Sequence, residues 1–114
     1  MSICIGRLNL AQCVLKNITQ IREELGLELW TTVVEVYWPQ SDKILAACRA
    51  AVLAKDQVAL RNAAHSLKGS SLNLGFKSIA LMAELLERCD PSIVEDKLEQ
   101  LEKVYSQTRS QLSI

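Results

Sequence analysis

The chain has 114 residues, enough for one domain with a modest core. Thirteen basic residues balance thirteen acidic ones, so there is no general electrostatic footprint for nucleic acid or an anionic membrane. With 49% hydrophobic residues, four glycines, two prolines and no alternating runs of strand formers, a soluble helical domain is expected.

The opening "MSICIGRLNL" has a lone arginine after its apolar stretch and too short an apolar region for a signal peptide. No apolar run is long enough to span a bilayer. Both absences predict a cytoplasmic protein without membrane contact. Cys4, Cys13, Cys48 and Cys89 lie far apart and form no CxxC or Cys/His cluster, so no zinc site is expected. Cys13, Cys48 and Cys89 fall in apolar helical patterns and read as small core residues in a reducing compartment.

Taken in chain order, the punctuation predicts six helices near 8–21, 27–37, 42–54, 57–73, 76–89 and 92–112. Gly26 in "ELGLEL" ends or bends the first. Pro39 in "YWPQSD" stops the second, and Ser41 or Asp42 caps the third. In "AAVLA", Ala51 and Val52 join Leu45 and Cys48 on one face. Asp56 caps the fourth helix and Gly75 closes it. In the fifth, Ile79, Met82, Ala83, Leu86 and Cys89 share a side. "CDPSIVE" offers Asp90–Pro91 as an N-cap and first-turn pair, or Ser92 with Glu95 as a capping box. The last helix carries Val94, Leu98, Leu101, Tyr105, Thr108 and Leu112 as a buried stripe opposite Lys97, Glu99, Glu102 and Lys103. Short connections favour antiparallel neighbours. The expected fold is all-α: an antiparallel up-down four-helix bundle with one or two additional short N-terminal helices, in a single domain spanning 1–114.

"AAHSLKGSSLNLG" holds the only histidine. At about 100° per residue, Leu60, Ala63, Leu67, Ser71 and Leu74 fall near the pole opposite His65. His65 therefore faces away from the core, with Val58, Arg61, Asn62, Lys68, Gly69 and Leu72 around it. Lys68 and Gly69 are one turn on and Arg61 one turn back. Cations there disfavour a protonated imidazole and stabilise a phosphoryl group attached to it. Glycine in a helix interior costs roughly 1 kcal/mol relative to alanine, which suggests that something approaches closely at Gly69. Val58 and Leu72 are apolar on a face that is otherwise polar, as a docking surface requires. Ser70 and Ser71 lean toward the core and read as small packing residues that bond back to i−4 carbonyls. Their directions are wrong for a serine nucleophile using His65 as its base.

These residues resemble the signature of histidine phosphotransfer (HPt) domains of bacterial phosphorelays, A-H-x-L-K-G-[SA]-[SA]-x-x-x-G. His65, Leu67, Lys68, Gly69, Ser70, Ser71 and Gly75 fill it. The resemblance covers about residues 28–90 and includes "FKSIALMAELLE", with its closing Leu-Glu, and Tyr37 where the family often has phenylalanine. "LNLAQCVLKN" is a looser match to the family's N-terminal helix. Phe76 departs from the pattern, since a small residue often follows the glycine, and bears on packing more than on transfer.

The resemblance implies a four-helix bundle with His65 exposed near the middle of one helix. Its Nε2 would accept a phosphoryl group from the aspartyl phosphate of one receiver domain and pass it to the aspartate of another. Lys68 would be the cation near that group, and Gly69 the gap that admits the receiver; Arg61 and Asn62 rank below them. No P-loop or glycine-rich fingerprint is present, and no carboxylate cluster to hold Mg²⁺ beside His65 is expected. The domain should neither bind ATP nor phosphorylate itself, and the receiver would bring the Mg²⁺. It would be a free-standing protein or a domain of a hybrid sensor kinase, and the charged face of its last helix favours a monomer. The alternative is a non-catalytic helical adaptor that binds a receiver or another protein through the same face.

Overall fold

A computed structural model describes residues 10–112, with side chains described from Ile18 onward. Cys4 and the side chain of Cys13 lie outside the described residues. The described chain is all-helical: α1 (Leu10–Leu25), α2 (Leu27–Ala54), α3 (Gln57–Leu74), α4 (Lys77–Arg88), a 3₁₀ turn (Pro91–Ile93) and α5 (Val94–Leu112). Helices α2 to α5 pack in adjacent pairs as an up-down bundle, and α1 lies against α4 and α2. None of the described helices is long and apolar enough to cross a membrane.

Gly26 separates α1 from α2 with φ +88° and ψ 150°, a conformation open essentially to glycine alone. Its N–H closes α1 on the Arg22 carbonyl, and its own carbonyl accepts the first bond of α2 from Trp30. One residue thus ends one helix and starts the next.

The expected break at Pro39 does not occur. α2 runs through it for 28 residues, so the segments expected at 27–37 and 42–54 are one helix. A proline inside a helix removes one backbone bond and costs about 3 kcal/mol. Packing at this point outweighs that cost. Trp38 stacks on Phe76 with ring centroids 5.4 Å apart, and Tyr37 lies 4.9 Å from Phe76. The Tyr105 hydroxyl of α5 reaches the Trp38 carbonyl at 3.1 Å and Asp42 Oδ1 at 2.7 Å. Arg109 pairs with Asp42 and sits over the Trp38 ring. Neither Ser41 nor Asp42 is a cap, because no helix starts there. Ser41 is buried inside α2, and Asp42 ties α2 to α5.

The remaining punctuation follows the sequence. Asp56 accepts a bond from the Ala59 N–H at 3.1 Å and caps α3. Gly75 ends α3 at φ +83°, where its N–H bonds Leu72 and the Phe76 N–H bonds Ser71, so two of the last carbonyls are satisfied. At the last entry the Asp90–Pro91 pair governs. Asp90 accepts from the Ser92 N–H, and the first turn is 3₁₀ before α5 proper. The α5 stripe is buried at Val94, Leu98, Leu101, Tyr105 and Thr108, with Leu112 half-buried. Cys48 is fully buried, and burial followed by the Glu102 charge pushes its thiol up to about 11. Cys89 is half-buried, with its thiol directed at the Leu86 carbonyl.

Candidate phosphoryl-acceptor site

α3 buries Leu60, Ala64, Leu67, Ser71 and Leu74. The expected set had Ala63 in place of Ala64, and Ala63 is only half-buried. The exchange turns the buried arc by roughly 20° toward the flank that carries Lys68. His65 still points outward, with its side chain 68% exposed, but the face it shares with Lys68 now leans on α4.

α4 supplies the groups that the sequence reading missed. Glu87 Oε2 lies 3.2 Å from His65 Nδ1. Lys68 Nζ lies 3.8 Å from Glu87 Oε1 and 3.9 Å from Glu84 Oε1. Arg88 Nε stands 3.6 Å from Glu84 Oε2, one turn along α4. The charge nearest the imidazole is therefore a carboxylate rather than one of the two expected cations. Arg61 is exposed and takes no part in this row. Two carboxylates therefore belong to the site, Glu87 beside His65 and Glu84 beside Lys68, and among the described residues no three His, Cys, Asp or Glu side chains converge as metal ligands.

A positional signal for these two residues was present in the sequence. α3 and α4 are antiparallel neighbours folded about Gly75 and Phe76. His65 stands eleven residues before Phe76 and Glu87 eleven after it; Lys68 and Glu84 stand eight before and eight after. A fold-back at that turn pairs them.

A carboxylate accepts hydrogen bonds and donates none, so Glu87 favours the imidazole tautomer with its hydrogen on Nδ1. Nε2 is then the nitrogen with the free lone pair. Half-buried Lys68 is held one turn away as a nearby positive charge. A Cβ built on Gly69 would meet nothing within 4 Å, so the helix is open to close approach there. Val58, Arg61, Asn62 and Leu72 are all exposed on the same side of α3, with Val58 at 68% and Leu72 at 49%.

The two serines differ from one another. Ser70 directs its hydroxyl at the Ser66 and Leu67 carbonyls, as expected for bonding back along the helix. Ser71 is more than a packing residue: its buried Oγ lies 2.7 Å from the Tyr37 hydroxyl and hydrogen-bonds it across the core. Burial raises the Tyr37 phenol above its usual value, while the hydrogen bond with Ser71 opposes the shift. Leu67 is fully buried beneath the site, and Gly75 and Phe76 set the turn that aligns α3 with α4.

No curated protein and no solved structure matches the chain significantly. The family model of the Hpt domain matches residues 32–111, from early in α2 nearly to the end of α5. That span is more than two thirds of the sequence and reaches beyond the resemblance read over 28–90. With this match, and with His65 exposed on α3 beside Lys68 and Gly69, the chain belongs to the Hpt domain family.

Proposed function

We propose that this domain is a phosphorelay intermediate in which His65 Nε2 takes a phosphoryl group from a receiver's aspartyl phosphate and returns it to the aspartate of another receiver. As an Hpt domain it has a phosphotransfer role in a phosphorelay, is a phosphoryl carrier rather than a kinase, and belongs to a family that interacts with receiver domains. The observation that carries the finer reading is the exposed imidazole with Glu87 at its Nδ1 edge and Lys68 one turn along.

The Nε2 lone pair forms the N–P bond while the aspartyl O–P bond breaks, and that bond's electron pair stays on the receiver's carboxylate. The Nδ1 hydrogen remains on the ring, and the Glu87 charge offsets the positive charge the ring gains. Lys68 offsets charge on the transferred group. The receiver supplies the Mg²⁺ and the acidic pocket that holds it. Gly69 admits the receiver's backbone, and Val58, Leu72, Arg61 and Asn62 complete the docking face. The reverse step charges the next receiver. The setting is cytoplasmic signalling, through a free-standing protein or a domain of a hybrid sensor kinase.

The test is to incubate the domain with phosphorylated receivers in the presence of Mg²⁺. The expected product is a phosphorylated domain whose linkage is acid-labile and base-stable. Binding to a receiver without any label would make the domain an adaptor instead.

Gly69→Ala separates stability from docking. The new Cβ meets nothing, so the helix gains up to about 1 kcal/mol and the thermal midpoint rises. Transfer from the receiver is expected to slow in the same variant. An unchanged transfer rate would remove Gly69 from the docking face.

A further inference from the structure

The charges beside His65 form one alternating row along the seam of α3 and α4: Glu87, Lys68, Glu84 and Arg88. His65 meets only the first of them. Glu84 does not touch the imidazole, yet it stands 3.9 Å from the ammonium assigned to the phosphoryl group. Neither carboxylate holds Lys68 at hydrogen-bond distance, since both contacts are 3.8–3.9 Å. The ammonium is suspended between two anions and tightly bound by neither. Glu84 is itself shared, with its second oxygen turned to Arg88 at 3.6 Å.

We infer that Glu84 is a positioning residue that sets how strongly phosphohistidine is held at His65, by competing with the phosphoryl group for Lys68. This rests on the phosphorelay reading above. Transfer onto Nε2 brings a dianion to the open end of the row. Lys68 then turns from Glu84 toward that dianion, while the Glu84 charge opposes the move. The carboxylate also repels the dianion directly, so both effects weaken the phosphorylated state. A carrier must release its phosphoryl group as well as receive it, and a counter-charge on the ammonium beside it keeps the group transferable. Charges about 4 Å apart at a partly exposed site still interact appreciably, and salt weakens them.

The experiment uses the whole chain and one phosphorylated receiver with Mg²⁺, and reads the equilibrium ratio of phospho-domain to phospho-receiver. Glu84→Gln is expected to move that ratio toward His65 by roughly threefold to tenfold at low salt. The shift should shrink at an ionic strength on the order of 0.5 M. In a Lys68→Gln background, Glu84→Gln should change the ratio by less than about twofold, because the contested cation is gone. Circular dichroism and thermal melting should show the same fold in every variant. An unchanged ratio in folded, His65-labelled Glu84→Gln overturns the inference while leaving the phosphorelay reading intact. An undiminished shift in the Lys68→Gln background also overturns it, assigning the effect to direct repulsion alone. Failure of the wild type to be labelled by any receiver overturns both.

Discussion

His65→Gln is expected to abolish phosphoryl acceptance while leaving the domain folded. Glutamine keeps a polar side chain of similar reach, but its amide nitrogen has no available lone pair. No second histidine exists to take over. The side chain is 68% exposed, so unfolding free energy should change by no more than about 0.5 kcal/mol. Labelling by a phosphorylated receiver, read beside a denaturant melt, checks both halves. A variant labelled normally would move the acceptor elsewhere. One that is unlabelled but unfolded would show that His65 has a structural role its exposure does not account for.

The second large effect is on stability. Phe76→Ala is expected to cost about 3–5 kcal/mol, because the ring is fully buried where α2 meets the turn between α3 and α4. It packs against Tyr37 and Trp38, follows the left-handed Gly75 and begins the turn into α4. Domains of this size are stable by roughly 5–15 kcal/mol in total, so the variant should sit near the unfolding threshold. It also removes packing that keeps α2 continuous through Pro39, and it loosens the turn that pairs Glu87 with His65. Urea unfolding measures the loss, and a change below about 1 kcal/mol would show that the aromatic cluster tolerates a cavity. At a urea concentration where the variant is still folded, slower phosphoryl acceptance would link the turn to the site.

Much of this fold was legible because much of it is local. Asp56, Gly75 and Asp90–Pro91 act on backbone groups within a few residues, and the α5 stripe follows from helical period alone. Pro39 was misread for the opposite reason. The rings and hydroxyl that hold α2 together come from Phe76 and Tyr105, far along the chain, and no local propensity records them. The Ser71–Tyr37 bond spans 34 residues and was hidden in the same way.

The site divides along the same line. The outward phase of His65, the neighbouring Lys68 and the open Gly69 lie on one helix and were readable from spacing. Glu84 has no role in the spacing argument, and Glu87 enters it only as part of the closing Leu-Glu of the family pattern. Their equal distances from Phe76 carried the pairing, but that symmetry has meaning only once α3 and α4 are known to fold back there. Helical phase fixes direction on one helix; register between helices needs the turn.

The phosphoryl group is expected to reside on Nε2 of His65. Phosphorus–nitrogen couplings in the ¹⁵N-histidine-labelled domain, recorded after charging by a phosphorylated receiver, test it most directly, since the chain has one histidine. The expected result is a single phosphorus coupled to Nε2, with the Nδ1 hydrogen retained beside Glu87. Phosphorus on Nδ1, on a serine hydroxyl or nowhere on the domain would contradict it.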